Sequence, residues 1–140
     1  MSDRKQFDHA VLRCLTNCWI KGRNPEEEQP VSIQKMQALY AEGTDALDVV
    51  HEYEGERFVC RNFEEYWTRR QNAIATYGEC RASLIGDPTV DAAGDLAVTS
   101  FSYKKEFINE PGRSVTQHAT VVWKRKDGEW RIVREHVTTE

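Results

Sequence analysis

The chain has 140 residues, 30% of them charged and mixed in sign, and a formal charge of -4. That is enough for one domain over residues 1–140, without the basic stripe that a phosphate backbone requires, so nucleic acid is excluded as an expected partner. No stretch of about twenty apolar residues occurs and the N-terminal segment lacks the apolar core of a signal peptide, so no membrane partner and a cytoplasmic location are expected.

Phe7, Val11, Leu15 and Cys18/Trp19 recur at helical spacing, with Asp3 and Gln6 placed as a capping box, so the spacing predicts an amphipathic helix over 4–21. Cys14 and Cys18 fall four apart on that helix, one turn beyond His9. Three such residues fall short of a metal set, and all four cysteines (with Cys60 and Cys80) are expected to be reduced, Cys14 and Cys18 on a buried face. The segment "GRNPEEEQP", with two prolines and three glutamates, is expected to be an exposed connection. Ile33, Met36 and Tyr40 mark a short second helix ending by Gly43.

The period then changes. "ALDVVHEY" and "ERFVC" predict two short strands around a Glu54-Gly55 turn, and "NFEEYWTRRQNAIATY" a helix capped by Asn62 and Glu65. Three long strand segments follow, at about 78–90 with a break at Gly86 and Pro88, 95–108, and 114–137 folded at Asp127-Gly128. This order predicts an α+β domain in which helices cover one face of a curved antiparallel sheet.

Alternation splits the long strands into two faces. The odd set (Phe101, Tyr103, Ala119, Val121, Trp123, Val133, Glu135, Val137) is the bulkier and is assigned to the interior. The even set then places His118, Thr120, Trp130, Ile132, Arg134 and His136 outside, a surface mixed enough to meet a second subunit. A single bulge would exchange the two faces.

"HATVVWKRKDGEWRIVREHVTT", preceded by "FSYKKEF", resembles the terminal strands of SnoaL-like proteins in the nuclear transport factor two-like superfamily. It is especially similar to the association domain of calcium/calmodulin-dependent protein kinase: a Val-Trp pair, basic residues, Asp-Gly, Trp, then an apolar-rich strand closing on His. "NFEEYWTRR" and "VVHEYEGERFVCRN" extend the resemblance to about residues 30–139. It implies a cone-shaped fold whose strongly curved antiparallel sheet is covered on its concave face by about three helices, a pocket between the two, and homodimers through the sheet, with higher rings open. It also implies a site altered from the kinase domain, whose pocket arginines align with Val121 and Val137.

Within that frame Glu135 is the leading acid/base candidate, because a carboxylate between valines on a cavity wall is desolvated and its pKa raised. The competing role is an ion pair with Arg131 or a helix arginine. His51 shares parity with Val49 and Tyr53 and is the complementary acid or base, and Tyr103 a donor to a developing oxyanion. Trp19, Tyr40, Trp67, Phe101, Val121, Trp123 and Val137 are the expected walls, favouring a small, mainly apolar ligand with no cofactor and no metal. Two functions follow: cofactor-free isomerase, dehydratase or cyclase chemistry if Glu135 and His51 share a ligand, or a non-catalytic association domain if aromatics fill the cavity and arginines pair both groups.

Overall fold

The structure, a computed structural model, describes residues 2–25, 32–42 and 47–140. The acidic run Glu26–Glu28 and Gly43 lie outside the described residues. Three helices, α1 (Ser2–Gly22), α2 (Ile33–Gln37) and α3 (Phe63–Tyr77), accompany six strands. These are β1 (Asp48–Tyr53), β2 (Glu56–Cys60), β3 (Cys80–Ala93), β4 (Leu96–Phe107), β5 (Ser114–Lys126) and β6 (Glu129–Thr139). They form one curved, unclosed sheet in the order β2-β1-β6-β5-β4-β3. Every junction is antiparallel except β1 against β6, which is parallel.

Local chemistry explains the corners. At Glu54-Gly55 and Asp127-Gly128 both turn residues take positive φ (50° and 80°, 53° and 80°), the twist that joins two-residue hairpins to their strands. Asn62 caps α3 by accepting the Glu65 amide at 2.8 Å. The expected break at Gly86 and Pro88 is a register shift between Ile85 and Thr89 within one continuous strand. Asp3, expected as a cap, instead lies in the first turn of α1, where its charge suits the helix dipole.

A bulge decides which residues enter the core. Val122 pairs with Arg134 but Trp123 pairs with Ile132, so Val133 is the extra residue and parity inverts there. Trp130 and Ile132 therefore point inward before the bulge, and Glu135 and Val137 point inward after it. This corrects the outward assignment of Trp130 (6% exposed) and Ile132 (0%), which belong to the core, while Val133 is only half-buried. Ile132 also bridges to Tyr40, tying the end of α2 to the sheet.

Helix α1 buries only part of its expected face, Trp19 fully and Val11 and Leu15 in part, and adds a polar stripe beside it. Its buried positions are Asp8, Leu12, Thr16, Trp19, Ile20 and Gly22, followed by Arg23, whereas Phe7 is 67% exposed and Cys14 and Cys18 are exposed. Apolar spacing gives no weight to these polar positions, yet Asp8 and Thr16 each have a partner. Asp8 pairs with Arg125 at 2.8 Å, and Thr16 donates to the Leu12 carbonyl at 2.8 Å. Burying a polar group is tolerated once it is bonded.

Candidate functional site

The narrow part of the concave face is solid. Trp19 meets Phe101 and Tyr103 edge-on at centroid distances of 5.0 and 5.2 Å, and Trp123 donates its Nε1 proton to Thr99 at 2.9 Å. Tyr40, Val121 and Val137 complete this packing and are fully buried. Trp67, half-buried, stacks on Phe63 at 6.1 Å. None of these seven expected wall residues lines the open cavity, so their assignment to a ligand is corrected: they fill the core behind it.

Glu135 lies at the boundary between packing and cavity, with no exposed surface. Its Oε1 accepts from Trp19 Nε1 at 2.7 Å and from the Tyr40 hydroxyl at 2.5 Å. Its Oε2 lies 2.7 Å from His51 Nε2 and 3.4 Å from an Arg23 guanidinium nitrogen. Burial opposes the charge, but the Arg23 guanidinium and the bonds from His51 and Tyr40 outweigh it and hold the carboxyl down to about 2. The expected rise is therefore corrected in sign: Glu135 is a fixed anion, with its oxygens already occupied, and is no proton donor.

Arg23, expected in an exposed connection, is buried at 3% exposure. Its guanidinium lies over the Trp19 ring at 3.0 Å from the centroid and donates to the Tyr66 hydroxyl at 2.6 Å. The aromatic faces and the carboxylate together replace the water it has lost.

His51, on β1, connects this network to open space. Its side chain is 28% exposed and lines a cavity of about 460 Å³. Burial lowers its pKa against the raising effect of Glu135, leaving the ring neutral near pH 7. Because Glu135 is ionised, the single ring proton belongs on Nε2, and Nδ1 keeps its lone pair. Nδ1 has no hydrogen-bond partner among the described residues, and it is not among their buried unpaired atoms. A neutral imidazole oriented by a buried carboxylate in this way can accept a proton.

The rest of the cavity is amphipathic rather than apolar. Phe58, Ala73, Ile74, Phe107 and Val115 supply apolar surface, while Arg70 and Lys105 bring positive charge. Glu52, Glu54 and Glu56 contribute carboxylates from the β1–β2 hairpin. Arg70 donates to the Arg23 carbonyl at 3.0 Å, and its Nε is buried with no partner. Burial and the nearby Arg70 charge bring Lys105 down to about 8. Tyr103 also lines the cavity, but its hydroxyl proton goes to Gln117 Oε1 at 2.7 Å, and burial holds its pKa up. Its expected oxyanion role is corrected to that of a buried, satisfied tyrosine.

Arg70 and Lys105 were missed although both carry a signal. Continuing the inward parity of β4 past Tyr103 reaches Lys105, and Arg70 is one helical turn beyond Tyr66. On the convex face, His118 lies opposite Ser102 with a 2.6 Å bond, Thr120 opposite His136, and Val122 opposite Arg134. Among the described residues no cluster of three potential metal ligands occurs, and no helix is long and apolar enough to cross a membrane.

Solved structures place the cone among NTF2-like folds. An NTF2-like protein of unknown function from Pseudomonas putida superposes with a TM-score of 0.73 at 20% identity, over 95% of this chain and 87% of that one. A cystatin-like-fold protein of unknown function from Nostoc punctiforme gives 0.76 at 10%, over 96% and 92%. A type 2 hexachlorocyclohexane dehydrochlorinase gives 0.73 at 13%, over 100% and 90%. Residues 23–140 match the family model of the calcium/calmodulin dependent protein kinase II association domain, and the chain belongs to that family. A search of curated proteins returns no match.

Proposed function

We propose that the chain binds a small organic molecule in the cavity beside His51 and that His51, held by Glu135, removes a proton from it without a cofactor. The 2.7 Å bond between His51 Nε2 and Glu135, which leaves Nδ1 unbonded at the cavity, carries this reading. A fixed anion behind the ring stabilises the imidazolium that forms when the ring takes a proton. An amphipathic wall suits a ligand with both an apolar body and polar substituents. Dehydrochlorination, named for one structural neighbour, is an elimination that also takes a proton from carbon; that support is an analogy of fold.

The test is proton exchange. Small ketones, hydroxylated rings and halogenated rings are incubated with the protein in deuterated buffer and followed by NMR. Deuterium incorporation or elimination is expected from the wild type, with a loss of about 100-fold or more in His51→Ala. Binding without exchange in any class would overturn the catalytic part.

Family membership favours a second reading, a homo-oligomer through the convex sheet face bearing His118, Thr120, Arg134 and His136. The concave cavity and the convex face are on opposite sides of one sheet, so the two roles are compatible. Sedimentation of the wild type and of Thr120→Arg tests it: a dimer or higher ring reduced to monomer supports this interface, and an unchanged assembly removes it.

A further inference from the structure

Lys105 has an unusual position for a lysine. On β4 its cross-strand neighbours are Ala82 and Val115, a small and a β-branched side chain, so it faces the cavity rather than being packed beneath bulk. Lys104, adjacent on the outer face, is ion-paired with Glu106 at 3.0 Å. Among the described residues, Lys105 has no carboxylate within ion-pairing distance. The charged groups that act on it most are Arg70 from α3 and Arg23 from the end of α1, both cations, with the Cys80 thiol on β3. Both guanidiniums disfavour an ammonium there, and an amine in a cavity beside fixed cations has the properties of a nucleophile.

We propose that Lys105 is a nucleophilic amine and that the cavity takes a small carbonyl compound, an aldehyde or ketone, which it holds as an imine on Nζ. The neutral amine attacks the carbonyl carbon, forming a C–N bond while the carbonyl oxygen takes up a proton. The resulting carbinolamine loses water, and the remaining nitrogen proton passes to solvent. No electrons are gained or lost. The inference rests on reading the cavity as a ligand site, and stands or falls separately from the role of His51 as a base toward carbon.

The experiment uses the full chain with benzaldehyde at pH 7 and sodium cyanoborohydride, which fixes an imine as a benzyl amine, followed by peptide mass mapping. Lys105 is expected to acquire the adduct at least about tenfold faster than any other lysine, since an amine with a pKa near 8 is neutral far more often at pH 7 than one near 10.4. Lys105→Met, checked for native circular dichroism, is expected to lose that adduct and keep the slow background. His51→Ala is expected to retain adduct formation even if it abolishes proton exchange, which separates failure of one reading from failure of the other. Labelling of Lys105 no faster than the surface lysines would overturn the proposal. It would equally fall if Lys105 stayed unmodified while inorganic phosphate raised the melting temperature of the wild type but not of Lys105→Met, since the side chain would then be an anion anchor.

Discussion

The two ends of the concave face are built on opposite principles. At the closed end Trp19, Phe101, Trp123 and Ile132 exclude water by shape, and both indole N–H groups have a partner. At the open end His51, Arg70 and Lys105 retain bonding capacity that the chain itself does not use. Glu135 lies between them, and its four contacts give two to each side: Trp19 and Tyr40 toward the packing, His51 and Arg23 toward the cavity. Stability is concentrated at one end and reactivity at the other, which is the usual cost of keeping a site unsatisfied.

The largest break in this division is expected from Glu135→Ala. It strands the buried Arg23 charge and leaves three further donors without an acceptor, a loss of about 3–5 kcal/mol by urea denaturation. Acid should produce a related effect without mutation. The carboxyl is lowered in the folded chain, so its contribution is complete above its unfolded pKa and disappears as pH falls toward about 2. That contribution is about 3 kcal/mol, and Glu135→Gln should remove this part of the acid limb.

Ile132→Ala tests the closed end and the bulge together. A fully buried isoleucine is expected to cost about 2–3 kcal/mol, whereas an outward one would cost under about 0.5. Lys105→Met should act in the opposite direction at the open end. Its folded pKa is below the unfolded value, so the unfolded chain binds more protons between about pH 8 and 10.5 and wild-type stability rises through that window. Below it the charged amine is a burden, and its removal should stabilise the fold by about 1 kcal/mol at pH 7 after allowance for its partial exposure. Smallest of all, His51→Ala should change stability by less than about 1 kcal/mol while abolishing proton exchange.

How much of this was legible in the sequence follows from the range of each signal. Turns, caps and strand alternation are local, so the order of elements and the two hairpins could be read directly, whereas alternation alone left the face of Glu135 open to a single bulge. The bulge at Val133 could not, because no residue type there requires it; it is fixed by what Trp130 and Ile132 gain on the core side. The polar part of the buried face of α1 was not legible, because hydrophobic spacing gives no weight to Asp8, Thr16 and Arg23; Asp8 and Arg23 are buried against partners far along the chain and Thr16 against the Leu12 carbonyl of its own helix. The same blindness reversed the pKa of Glu135, since desolvation is visible from two flanking valines whereas four donors are not.

The parallel junction of β1 with β6 has a kinetic consequence. The β3–β6 meander can zip up by adding adjacent hairpins, but His51 reaches Glu135 only by closing a loop of 84 residues. Contacts of such separation must recover their closure entropy from structure already in place. The base and its anion should therefore meet among the last events of folding, and amides of β1 should exchange with deuterium before those of β4 and β5.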